Sequence, residues 1–144
     1  MSALAANDQI DAPGSNPRRR PPLIRGAPRV RQMYWCAFWA DSCLPEMCKT
    51  RPVVVMSYKN TLHGPCLVVP TSTDPQEGAS AKWAHKLSFQ PDGRRDSWVV
   101  CNHLYTVSCA RLAPLSGANI PRIDEDEFNE ILARVHQWLP QLPA

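Results

Sequence analysis

Proline limits this chain more than any other residue. It supplies fifteen of the 144 positions, against six glycines. Each proline fixes φ and removes a backbone donor, so it breaks helix interiors and central strands. The expectation is short elements joined by many turns. At this length one hydrophobic core can form but not two, so the chain reads as one domain.

Charge divides the chain into two parts. Residues 1–29 hold Arg18, Arg19, Arg20, Arg25 and Arg29 against Asp8 and Asp11, and the remainder holds 11 basic and 11 acidic side chains. Residues 1–28, rich in Ala, Pro, Asn, Gly and Arg and without periodicity, read as a disordered basic tail. The Arg18–Arg20 triplet suits either a nucleic-acid contact or a solvated basic patch. Residues 29–144 read as the folded domain, whose near-neutral balance argues against a general DNA-coating protein but allows a local basic site. The six cysteines, Cys36, Cys43, Cys48, Cys66, Cys101 and Cys109, contain no C-x-x-C pair. They read as small buried apolar residues rather than zinc ligands. No signal-peptide pattern opens the chain and no apolar run reaches membrane-spanning length, so a cytoplasmic protein with reduced thiols is expected.

Alternation marks the strands. In Val30–Trp39, Met33, Trp35, Ala37 and Trp39 point one way and Tyr34, Cys36 and Phe38 the other. Both faces are apolar, which predicts a strand buried on both sides or wrapped into a barrel. A loop is expected over Ala40–Thr50. Pro52–Ser57 is the next strand, its proline tolerated as the first residue. Further strands are expected at Cys66–Val69, Lys82–Phe89, Trp98–Cys101 and Leu104–Val107, with a loop over Asp74–Ala81 and a turn at Pro91-Asp92-Gly93. One helix is expected over about 124–139. Asp124 and Glu127 resemble a capping box, Phe128, Ile131, Leu132, Val135 and Leu139 form one stripe, and Pro140 follows. The predicted architecture is mainly β (α+β): a curled, mostly antiparallel sheet with a packed C-terminal helix.

The strongest chemical candidate is Lys49-Thr50-Arg51. A residue before proline is driven into extended geometry, which fixes the Arg51 backbone at a strand entrance. Lys49 would share its side. A guanidinium forks onto two phosphate oxygens and a lysine adds a point charge. A strand end with ordinary solubilising charges fits the same spacing. Thr71-Ser72-Thr73 offers hydroxyls after the following strand, suited to a phosphate or to turn chemistry. If the two strands form a hairpin, Arg51 and Ser72 lie at the same end. His85 and His103 sit in or beside strands and could reach a shared cleft. No H-E-x-x-H pattern and no phosphate-cradling glycine loop occurs, so neither a metal nor a nucleotide cofactor is expected.

Four blocks in order carry a family resemblance. They are Pro45-Glu46-Met47-Cys48-Lys49-Thr50-Arg51-Pro52-Val53-Val54-Val55, Leu67-Val68-Val69-Pro70-Thr71-Ser72-Thr73, Trp98-Val99-Val100-Cys101-Asn102-His103-Leu104-Tyr105-Thr106-Val107, and Arg111-Leu112. Over roughly residues 29–139 the chain resembles the MazF/PemK family of toxin endoribonucleases, and most closely its YifN-type, PemK-like subgroup.

The resemblance implies a small SH3-like β-barrel of the CcdB/MazF type, a homodimer, and a cognate antitoxin that blocks the RNA groove. It implies cofactor-free, metal-independent cleavage of single-stranded RNA in bacteria. By the resemblance, Arg51 stabilises the transition state, Ser72 is the strand-end hydroxyl and Glu46 a loop acid. Lys49, Thr73, His85, Asn102 and His103 would then be the RNA-binding set. The chain departs from many members at Asn102, where they carry Asp, and at Val100, where some carry a catalytic Arg. Asn is no general base at neutral pH, so activity would rest on Arg51 and Ser72, aided by His103 or His85. The other reading of the departures is a non-cleaving RNA- or protein-binding module on the same barrel. The shared barrel also admits a gyrase poison, a class to which Trp138 near the chain end gives a faint likeness.

Overall fold

Val53, Val54 and Val55 are each fully buried. Successive strand residues point to opposite faces, so three buried valines in a row require cover on both sides of the sheet. The computed structural model describes residues 19–117 and 119–143, and it shows how that cover is arranged. β2 (Thr50–Val55) is central. It pairs with β1 (Met33–Ala37) on one edge, with Met33 opposite Val54 and Cys36 opposite Arg51. Its other edge pairs with β3 (Pro65–Ser72), with Val53 opposite Pro70 and Val55 opposite Val68.

The far edge of β3 is shared. Its first half pairs with β6 (Tyr105–Ser108) and its end, at Thr71 and Ser72, with β5 (Trp98–Val100). β5 carries β4 (Ala84–Lys86) outside it, and β1 carries the short β7 (Leu112–Ala113). Every pairing is antiparallel, and the strand order is β4-β5-β3-β2-β1-β7 with β6 on β3. Among the described residues the end strands β4 and β7 do not pair, so the sheet curls as expected of a barrel without closing its hydrogen-bond ring.

Alternation sorts the core into two clusters. Tyr34, Cys36, Val53, Val55, Val68, Val107 and Leu112 pack on one face. Met33, Val54, Val69, Val99 and Cys101 pack on the other, against Ile123, Phe128, Ile131 and Val135. The second face is thus covered by α1 (Glu125–Trp138). Each buried valine contributes roughly 1.5–3 kcal/mol relative to exposure, which fixes β2 and with it the position of Arg51.

Several boundaries move, each for a physical reason. Strands were expected to begin at Pro52 and to end at Val69, because proline lacks a donor. β2 instead begins at Thr50, and β3 runs through Pro70 to Ser72. Leu67 turns both amide and carbonyl toward the β2 side, donating to Ser57 Oγ and accepting from Met56 N. By alternation Pro70 faces the far edge, in the gap where β6 has ended and β5 begins. No ladder donor is missing there. The expected loop Asp74–Ala81 and strand Lys82–Phe89 give way to a 3₁₀ helix, Gly78–Trp83, followed by the three residues of β4. β1 is half the expected length; beyond Ala37 the aromatics Phe38 and Trp39 pack against Tyr105 in a loop.

α1 matches the expected helix closely, but its cap differs. The Asp124 side chain accepts from Asp126 N at 3.1 Å. Glu127 does not complete a capping box. Its carboxylate accepts from Ser88 N at 2.9 Å and Ser88 Oγ at 2.8 Å, and meets His85 Nε2 at 2.9 Å. A tertiary clasp has replaced the local one. Leu139, 44% exposed, lies outside the buried stripe. Four cysteines are buried, and burial pushes the thiols of Cys36 and Cys101 up to about 12 and of Cys66 to about 11. Cys43 and Cys48 are exposed, contrary to expectation, because they lie in the loop before β2.

Of the expected tail, residues 1–18 lie outside the described residues. Further on, Ile24 is buried in the first cluster and the Pro28 carbonyl accepts from Asn60 Nδ2, so packing begins ahead of residue 29. Among the described residues no helix is long and apolar enough to cross a membrane.

Candidate functional site

Arg51 owes its setting to the proline that follows it. Continuing the Val53–Pro70 register places Pro52 opposite Thr71 and Arg51 opposite Ser72. Pro52 has no N–H to give the Thr71 carbonyl. Arg51 Nη1 lies 3.5 Å from that carbonyl instead, a long and weak contact. The Thr71 hydroxyl donates to the Pro52 carbonyl at 2.8 Å, closing the pair from the other side. Arg51 Nε is buried and has no hydrogen-bond partner among the described residues. The guanidinium is therefore held in place by the strand while most of its donors stay free for a ligand.

Two concavities flank this strand end. One, of about 220 Å³, is lined by Lys49, Arg51, Thr71 and Thr73, with Trp35 as an apolar wall and Asp92 and Arg95 at the rim. Backbone amides of Arg95 and Arg94 hold the Asp92 carboxyl below its ordinary range, and Asp92 Oδ2 accepts from Arg95 Nε at 3.2 Å. The other concavity, of about 290 Å³, is lined by Ser72, Asn102, His103, Val100 and Trp83. Alternation along β3 explains the division: Thr71 and Thr73 turn to one concavity and Ser72 to the other.

The three hydroxyls differ in what they have left to offer. The Thr71 proton is engaged by Pro52. Ser72 Oγ accepts from Asp74 N at 3.1 Å, which leaves its own O–H available. His103 lies beside Ser72, its ring edge-on to Tyr105 at 6.3 Å between centroids. Its Nδ1 is buried without a partner among the described residues. Burial first, and the nearby Arg51 charge second, push the His103 imidazole below its ordinary 6.5. It is neutral at physiological pH, with one lone pair and one N–H.

Two expected site residues are placed elsewhere. His85 is clasped by Glu127 and lines neither concavity; its ring stabilises the junction of β4 with α1. Glu46 is exposed and its Oε1 accepts from Cys43 N at 2.9 Å, so the carboxylate closes a turn in the loop before β2. That loop is pinned to β6, with Met47 N donating to Tyr105 OH at 2.9 Å. Sequence reasoning missed Trp35, Trp83, Gln76 and Arg95. Trp35 sat in a recognised strand. Gln76 and Trp83 reach the site through the β3–β4 connection and its 3₁₀ helix, and Arg95 through the β4–β5 connection, for which spacing gave no signal.

Residues 29–139 of the chain match the sequence profile of a family described as PemK-like, MazF-like toxin of type II toxin-antitoxin system. Among solved structures it is similar to an endoribonuclease in complex with its cognate antitoxin from a mycobacterial species, at 15% identity, 81% of this chain, 100% of that one and a TM-score of 0.55. It is also similar to MazF from Deinococcus radiodurans, at 15% identity, 77% of this chain, 94% of that one and a TM-score of 0.57. The toxin MazF-mt6 of Mycobacterium tuberculosis aligns at 14% identity over 75% of this chain and 95% of that one, with a TM-score of 0.51. At these identities the likeness establishes the fold. No curated protein matches the chain in sequence.

Proposed function

The chain belongs to the PemK-like, MazF-like toxin family of type II toxin–antitoxin systems, and from that premise we propose that it is a metal-independent endoribonuclease acting on single-stranded RNA. The observation that carries the reading is Arg51: a cation whose buried Nε has no partner among the described residues, set by register opposite Ser72 and lining one concavity with Lys49 and Thr73.

RNA supplies its own nucleophile. The 2′-hydroxyl loses its proton and attacks the adjacent phosphorus. The bond to the 5′ oxygen breaks, and that oxygen takes a proton. The products are a 2′,3′-cyclic phosphate and a 5′-hydroxyl. Arg51 grips the non-bridging oxygens, where charge builds, and the Ser72 O–H donates to the same group. Neutral His103 can accept the first proton, and the imidazolium so formed can deliver a proton to the leaving 5′ oxygen. Lys49 and Thr73 hold the strand on the other side of Arg51. Glu46 supports the loop that carries Met47 to the site.

The proposal includes a second copy of the chain as partner, a cytoplasmic site of action, and an antitoxin, as in the mycobacterial complex. One observation favours a second reading, binding without cleavage: the carboxylate expected at Asn102 is absent, and Val100 is buried and apolar.

Digestion of RNA by the purified protein in excess chelator decides between them. Cleavage with 5′-hydroxyl ends, lost in Arg51→Ala, is expected. Salt-sensitive RNA binding with no products would establish the binding module instead.

A further inference from the structure

We propose that the concavity beside Ser72 is a nucleobase pocket, reading the base next to the phosphate held by Arg51, and that its outer wall prefers a base with an exocyclic amino group over uracil. This rests on the reading of the chain as a protein that acts on single-stranded RNA.

The pocket lies one residue pair from the phosphate grip, since Ser72 lines it and stands opposite Arg51. Its volume of about 290 Å³ is at the small end for ligand sites and suits a single heterocycle. Trp83 forms an aromatic wall. Its ring is held edge-on to Trp138 at 5.2 Å and its carbonyl accepts from Cys101 N at 2.8 Å. Unpaired bases of RNA are bound by aromatic surfaces of this kind. Lys82 Nζ lies 5.1 Å from the Trp83 ring centroid, a cation next to that wall.

The selectivity follows from hydrogen bonds already made. Gln76 Nε2 donates to the Asp74 carbonyl at 2.8 Å. A carbonyl can only accept, so the amide orientation is fixed and Gln76 Oε1 remains as a free acceptor. Ser80 Oγ donates its single proton to the Glu77 carbonyl at 2.9 Å, leaving only lone pairs. Both residues line the pocket. The backbone of Asp74 couples this wall to the reaction site, because its N–H donates to Ser72 Oγ while its carbonyl anchors Gln76. Two fixed acceptors meet the amino group of cytosine favourably and repel the O4 of uracil.

The test compares five-residue 2′-O-methyl oligonucleotides of cytidine and of uridine. These keep the ribose oxygen but have no 2′ proton to lose, so binding is read without cleavage. Cytosine and uracil share a ring size and differ at the group that meets the wall. The wild-type protein should bind the cytidine oligomer about fivefold more tightly, the effect of one good hydrogen bond. The ratio should fall below about twofold in Gln76→Ala, a change in an exposed connection, and should fall partway in Ser80→Ala. Equal binding by the wild type, or an undiminished ratio in Gln76→Ala, overturns the pocket. Unmodified oligomers digested in parallel separate the two readings. Selective binding without cleavage supports the pocket and removes the nuclease, whereas cleavage without selectivity does the reverse.

Discussion

Replacing Arg51 by methionine should make the protein more stable and inactive at once. Methionine keeps an unbranched stem of similar reach and discards the guanidinium. In the folded protein Arg51 Nε is buried with no partner among the described residues, and its Nη1 gains only a 3.5 Å contact with the Thr71 carbonyl. An unsatisfied buried donor costs about 1–3 kcal/mol, and a bond that long returns little. Removing the group should raise stability by about 1–2 kcal/mol, or about 5 °C in Tm for a domain of this size. Cleavage should fall by about 10³-fold or more, the usual effect of removing a cation that meets the transition state. Thermal melts at one fixed protein concentration, together with single-turnover cleavage rates, measure both quantities. A fall in Tm of about 5 °C would falsify the argument, because Arg51 would then be holding the fold rather than waiting for a phosphate. A stable variant that still cuts at the wild-type rate would move the site elsewhere.

Four further outcomes follow from the contacts described. Glu127→Ala should cost about 2–3 kcal/mol in urea unfolding, since it strands the donors of Ser88 and His85; a loss below about 0.5 kcal/mol would show the clasp to be idle. Burial raises the Glu127 carboxyl, but the His85 and Ser88 hydrogen bonds more than offset it and the net shift is downward. The clasp therefore stabilises fully above the unfolded value of about 4.3 and is lost as pH falls through the lower folded value. Glu127→Gln should flatten the acid limb of a stability–pH curve, and an unchanged limb would refute the assignment. Ser72→Ala should slow cleavage by about 10²-fold while shifting stability by no more than about 1 kcal/mol; equal rates would show the hydroxyl to be a turn residue only. If neutral His103 moves a proton, the cleavage rate should decline as pH drops below its depressed value, under 6.5, and His103→Asn should abolish that limb along with most of the rate.

How much of this was readable beforehand depended on the range over which each signal acts. Val53–Val55 announced a central strand through side chains that need no partner to be recognised. The Arg51-Pro52 step announced an extended entrance, and the stripe from Phe128 to Val135 announced α1. What failed was whatever depended on a second element. Pro70 marked a strand end by local rules, yet a change of partner along the far edge of β3 absorbs its missing donor. Glu127 fitted a capping box until Ser88 and His85 were brought within reach. Thr71, Ser72 and Thr73 could not be told apart until the register assigned one to the ladder and the other two to separate concavities. Gly78–Trp83 has no apolar period, so neither its helical turn nor the arrival of Trp83 beside Ser72 left a trace in the sequence.

That 3₁₀ segment has a consequence for how such a protein can change over generations. None of its residues is buried. Apart from Gly78, whose φ of +62° favours glycine, and Trp83, packed on Trp138, substitution there is nearly free of a folding penalty, while β2 and the end of β3 are locked between two cores and tolerate little. The scissors and the choice of where to cut would then drift at different speeds. A lineage could acquire a new target sequence by altering residues 76–83 alone, with Arg51 and Ser72 left as they stand.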